Sequence, residues 1–211
     1  MTLTFVLDII GAITFAFSGA YVAINHDMDW LGIVIMACTT ACGGGVTRDI
    51  LLGNTPANMF KDPTDVTIAM VVAFITIAIY KPLMNSKFKK DYLFLINTFD
   101  AMGLAIFVVV GSNVARQLGY ADNMFLVCFC GCLTGVGGGM WRDVMVNRVP
   151  MIFSKEIYAT AALAGSLFYY LAYDILGEVI SMSITLVIIF GVRMWAVITG
   201  KNLPVVEKIT E

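Results

Sequence analysis

Seven stretches of about twenty mostly apolar residues, joined by short polar connections, constrain this chain more than any other feature. They fall near residues 3–24, 31–52, 65–84, 92–115, 124–146, 155–173 and 179–199. A helix of about 20 residues spans about 30 Å, the thickness of a bilayer's hydrocarbon core. Inside that core each backbone amide must be bonded within its own segment, so apolar runs of this length fold as helices. Composition agrees: 59% of the 211 residues are hydrophobic and 13% are charged, against about 25% charged in a soluble domain. The formal net charge of -2 leaves no basic face for nucleic acid. The expected fold is an all-α membrane protein, one transmembrane domain over residues 1–211, with the first segment retained as a helix.

The chain repeats itself. Gly43-Gly44-Gly45-Val46-Thr47-Arg48-Asp49 returns as Gly137-Gly138-Gly139-Met140-Trp141-Arg142-Asp143, at an offset of 137 − 43 = 94. Pro56 and Pro150 keep that offset, while Asp8 and Asp100, and Gly19 and Gly111, repeat at 92. Repeat one covers about residues 3–84 and repeat two about 92–173, leaving the segment at 179–199 as an extra seventh helix. Three spans per repeat is an odd number, so the second copy enters from the opposite side and the repeats are inverted. Lys and Arg divide 3 to 10 between the faces, with Arg48, Lys61 and Arg116 on the poorer one. The positive-inside rule then puts the N-terminus outside and the C-terminus in the cytoplasm.

Three consecutive glycines disfavour a helix by roughly 1 kcal/mol each relative to alanine. A break or kink is therefore expected at Gly43, Gly44 and Gly45 and at Gly137, Gly138 and Gly139, with freed carbonyls facing a polar path. Close packing through small residues is the alternative. Arg48-Asp49 and Arg142-Asp143 follow the triplets at one spacing. Neighbours on a helix point about 100° apart, so each arginine is expected to pair with another helix, Asp8 and Asp100 being the natural candidates. The alternative places both pairs at the membrane edge, with Asp49 and Asp143 capping helix ends. Arg193, near the end of the seventh segment, is expected to snorkel to the cytoplasmic side. Cys38, Cys42, Cys128, Cys130 and Cys132 read as small buried thiols in helix contacts. With His26 the only histidine, no catalytic triad or metal site can be assembled, and neither enzyme activity nor a cofactor is expected.

Two three-helix units, each with a glycine triplet followed by Arg-Asp, plus a seventh helix, resemble the prokaryotic branch of the trimeric intracellular cation (TRIC) channel family. The resemblance covers about residues 3–200. It implies a homotrimer in the inner membrane, with a pathway for monovalent cations, K⁺ foremost, through each protomer. It implies kinks at the two triplets and basic pathway positions at Arg48 and Arg142. The animal members' Lys-Glu-Val motif is replaced here by Gly44-Gly45-Val46-Thr47-Arg48, so lipid regulation does not transfer. Similar bacterial sequences are also labelled glycine transporters. A carrier would bind the amino acid's carboxylate at a half-helix N-terminus and its ammonium at Asp8 or Asp100.

An inverted repeat places Asn25 and Asp122 on opposite faces. Single cysteines at these two positions, in a background lacking the native cysteines, should label from opposite sides of sealed vesicles. Labelling of both from one side would contradict the inversion.

Overall fold

The computed structural model describes residues 3–84, 89–154 and 156–200, and among them every regular element is helical. The long helices are α1 (Leu3–Ile24), α2 (Trp30–Leu51), α4 (Thr64–Met84), α5 (Lys89–Ala115), α6 (Met124–Met145), α8 (Glu156–Leu176) and α9 (Glu178–Thr199). Two short helices, α3 (Asn58–Lys61) and α7 (Met151–Ser154), follow α2 and α6. Among the described residues six helices are long and apolar enough to cross a membrane: α1, α2, α5, α6, α8 and α9; Thr64–Tyr80 of α4 forms a shorter apolar stretch. The polar connection at residues 85–87, Lys155, Lys201, Lys208 and the tail beyond Gly200 lie outside the described residues.

Local chemistry sets the helix limits. The Asp29 side chain accepts the Gly32 amide at 2.7 Å and starts α2; Asn123 accepts the Leu126 amide at 3.0 Å and starts α6. After α2 the chain turns through Gly53 at φ 70°, and after α6 through Asn147 at φ 55°. These positions are one repeat apart (147 − 53 = 94), and asparagine is among the few side chains that tolerate the left-handed region. Within the bilayer, Thr14, Thr40, Thr47, Thr76 and Thr134 turn their hydroxyls onto carbonyls of their own helices, which satisfies them without water.

The two units pack alike. In one, α1 lies against α2 and α4; in the other, α5 lies against α6 and α8. Helices α1 and α5 form the centre, and α9 packs on α5 and α8. The contacts joining the units are reciprocal. Phe15 and Phe107 (107 − 15 = 92) meet with ring centroids 5.2 Å apart. A Cβ on Gly11 would press on Phe107, and one on Gly103 would press on Phe15. The Trp141 indole donates to the Thr47 hydroxyl at 3.2 Å, again between equivalent positions (141 − 47 = 94).

Of the break or kink expected at the triplets, no break in the helix occurs. Residues 43–45 lie inside α2 and 137–139 inside α6, both uninterrupted α-helix. The glycines serve contact instead. A Cβ on Gly44 would overlap the Thr134 carbonyl oxygen, and one on Gly138 would overlap the Thr40 carbonyl oxygen. The Gly44 Cα lies 2.8 Å from where a Cβ of Gly137 would stand. Side chains are missing here because two backbones occupy their space, and packing of that closeness offsets the weak helix propensity. Gly45 differs: its nearest neighbour would be Arg48 Nη2 at 3.7 Å, an ordinary contact.

Gly44→Ala and Gly138→Ala should each destabilise the fold by about 1–3 kcal/mol through backbone overlap, whereas Gly45→Ala should leave stability unchanged. Thermal unfolding midpoints in detergent check this, and equal midpoints for all three variants would refute the close-contact role.

Candidate functional site: two arginine–aspartate clusters

Each Arg-Asp pair sits in the last turns of its helix, where the helix dipole favours a cation. The pairs are built alike. Arg48 Nε and Nη2 donate to Asp49 Oδ1 at 2.9 and 2.8 Å; Arg142 Nε donates to Asp143 Oδ1 at 2.9 Å. The other carboxylate oxygen accepts an amide from the following short helix, Asn58 N at 2.8 Å in the first unit and Met151 N at 3.1 Å in the second. The Asp49 and Asp143 carbonyls accept the amides of Asn54 and Arg148, each at 2.9 Å. The expectation that neighbouring residues would not pair therefore needs correcting. The aspartate side chain turns toward the loop it caps, and the long arginine side chain curls across the intervening angle to meet it.

Beyond this shared core the clusters diverge. Arg142 reaches onto two other helices, with Nη1 donating to Asp100 Oδ1 at 2.9 Å and to Ser18 Oγ at 2.6 Å. It is 3% exposed and Asp100 2%. Arg48 has no such cross-helix partner: among the described residues no ion pair joins it to Asp8. One replaced side chain accounts for part of this. The position equivalent to Ser18 is Val110 (110 − 18 = 92), which cannot accept a hydrogen bond.

In the first unit a cavity of about 80 Å³ lies instead among Asp8, Arg48, Asp49, Asp65, Val110 and Thr134. It adjoins a larger one of about 210 Å³, lined by Asp8, Asn58, Lys61, Asp62, Thr64 and Asp65. Both have polar side chains in their walls and are large enough to hold water. At the outer one, the Thr64 hydroxyl and amide donate to Asp62 at 2.6 and 3.0 Å and hold its carboxyl below the usual range. The first cluster thus borders cavities lined by Asp8, Asp62 and Asp65, whereas the second is a buried ion-pair cluster.

Sequence reasoning passed over Ser18, Asp65 and Tyr158, and it misplaced Arg193. Arg193 does not snorkel: it is 3% exposed, with its guanidinium carbon 4.7 Å from the centre of the Tyr158 ring. Its isolation as a charge within an apolar segment was the available signal, because charges there usually face the protein interior. The five cysteines are free thiols, two of them buried.

Deleting Arg142 strands two carboxylates in a dry site. Arg142→Ala should therefore cost about 3–5 kcal/mol, while Asp8→Asn, beside the wet cavity, should cost no more than about 1 kcal/mol. Thermal unfolding in detergent measures both, and equal losses would contradict the difference drawn between the two ends.

Comparison with known proteins agrees with this architecture. The glycine transporter family model matches twice, over residues 5–81 and 97–174. The inner membrane protein YadS of Escherichia coli K12 is 41% identical over 172 residues, covering 81% of this chain and 79% of the relative. The membrane protein YvgT of Bacillus subtilis is 35% identical over 76% of each chain. Among solved structures, a chain from work on conductance through TRIC cation channels superposes with a TM-score of 0.86 at 30% identity, covering all of both chains. A prokaryotic TRIC channel crystallised in 0.5 M KCl gives 0.86 at 32% identity, covering 95% of this chain and 98% of its own. The TRIC orthologue from Rhodobacter sphaeroides gives 0.83 at 30% identity, covering 95% and 100%. The chain belongs to the glycine transporter family, is related to the UPF0126 membrane proteins YadS and YvgT, and shares its fold with TRIC cation channels.

Proposed function

We propose that this protein is a K⁺-permeable monovalent cation channel, with a pathway inside each protomer running beside α2 and α6 between the two arginine clusters. The observation that carries this reading is the full-length structural similarity to TRIC channels. The acidic cavity supports it further: Asp8, Asp62 and Asp65 raise the local cation concentration where water can enter. Arg48 and Arg142 are then the charges within the transmembrane field, and Asp49 and Asp143 hold them in place.

The same reading makes the two units an inverted repeat. Self-complementary contacts such as Phe15–Phe107 are what a two-fold axis produces, and three spans per unit put that axis in the membrane plane. The whole chain acts as one transmembrane domain in the inner membrane, with the N-terminus outside, and assembles as a homotrimer as its structural relatives' name suggests. Two of the ten basic residues counted toward the cytoplasm, Arg142 and Arg193, are buried. Arg48, one of the three on the other face, is buried too, and without these three the division stays asymmetric, 2 to 8. A second reading, a carrier for glycine, is favoured by the family description. An entrance that is wet at one end and sealed at the other suits alternating access as well.

Purified protein in a planar bilayer should pass discrete K⁺ currents, and saturable glycine uptake without them would favour the carrier. One elementary charge crossing 100 mV gains about 2.3 kcal/mol. Arg48→Ala should therefore raise basal K⁺ flux or flatten its voltage dependence, and unchanged currents across ±100 mV would remove Arg48 from the pathway.

A further inference from the structure

The seventh helix has no counterpart in either repeat, yet it inserts a charge into one of the two clusters. Arg193 of α9 lies over the Tyr158 ring, and among the described residues no carboxylate oxygen comes within 4.0 Å of its guanidinium. Its Nε has no hydrogen-bond partner, and neither do the Tyr158 hydroxyl and Asp100 Oδ2, although Arg193, Tyr158 and Asp100 are 3%, 1% and 2% exposed. Tyr158 belongs to the Arg142 cluster. A Cβ on Gly139 would stand 3.2 Å from the Tyr158 hydroxyl, 3.7 Å from Arg142 Nη2 and 3.9 Å from Asp100 Oδ1.

Equivalent positions show what this changes. The amides that cap the two aspartates are 151 − 58 = 93 residues apart, and at that offset Tyr158 corresponds to Asp65 (158 − 65 = 93). The first cluster therefore holds Asp8, Asp49 and Asp65 against Arg48, a formal charge of 1 − 3 = -2, around a water-sized cavity. The second holds Asp100 and Asp143 against Arg142 and Arg193, a formal charge of 2 − 2 = 0, in side chains almost sealed from solvent.

We infer that Arg193 is a tethered substitute for the permeating cation: the seventh helix places a fixed guanidinium at the second cluster, where it neutralises the carboxylates and removes that half's attraction for cations. This inference rests on the channel reading. It makes α9 the source of the electrical difference between two otherwise matched halves, and it makes Arg193 a determinant of conductance and charge selectivity. Arg193 differs from the arginines of the repeated motif, because each of those is paired with its own neighbouring aspartate.

The test uses the full chain in planar bilayers under a KCl gradient, with wild type, Arg193→Met, Arg193→Gln and Arg193→Lys. Methionine keeps the packing and removes the charge. A unit charge acting at roughly 8 Å through an effective dielectric of about 30 changes an equilibrium about tenfold. K⁺ conductance of the Met and Gln variants should therefore rise by about that factor. Their reversal potential should move toward the K⁺ equilibrium potential, while the Lys variant should match wild type. A purely structural role would not move the reversal potential. Conductance and reversal potential equal to wild type in the Met or Gln variant would overturn the inference. So would a Lys variant that folds while Met and Gln both fail to, since the charge would then serve the fold alone. A wild-type chain that passes no K⁺ current would overturn the channel reading itself, and this inference with it.

Discussion

The backbones of α2 and α6 touch, and the arrangement of the rest follows from that contact. Gly44 faces the Thr134 carbonyl and Gly138 the Thr40 carbonyl, each in space that any side chain would fill. With no hydrophobic drive between helices in lipid, close approach of this kind is what holds membrane helices together. The crossing joins the two units through matching surfaces. It also fixes where the Arg-Asp pairs fall, since they follow each triplet by three residues in the last turns of α2 and α6.

From matched frameworks the two ends develop differently through a few substitutions. Ser18 gives Arg142 a partner that Val110 cannot give Arg48. Asp65 stands where Tyr158 stands in the other unit, and α9 brings Arg193 to one side only. These changes turn one cluster into a buried ion-pair network and the other into the wall of a cavity large enough for water. Duplication supplied the scaffold, and single side chains gave its two halves different polarity.

Much of this could be read from the sequence because the signals were long or repeated. Seven apolar runs mark the long helices, and the doubling of Asp8 as Asp100 pointed to the cross-helix partner that Arg142 has. No break occurs at the triplets because helix propensity describes an isolated helix, whereas here the absent side chains make room for a neighbour, the packing alternative the sequence also offers. Arg193 misled because an arginine near a helix end reads the same whether it reaches outward or inward; only the neighbouring Tyr158 decides between them. Asp65, at the start of its segment, reads as a membrane-edge residue until the cavity beside Asp8 shows what it faces.

Asp49 and Asp143 each hold an arginine with one oxygen and the first turn of a short helix with the other. A carboxylate shared in this way works as a coupling rod. A guanidinium cannot shift by more than a hydrogen bond's reach without either letting go of its aspartate or drawing the short helix after it. In the first unit that helix contributes Asn58 and Lys61 to the wall of the outer cavity. While both hydrogen bonds hold, movement of the Arg48 guanidinium and movement of the short helix beside the outer cavity are linked through one carboxylate.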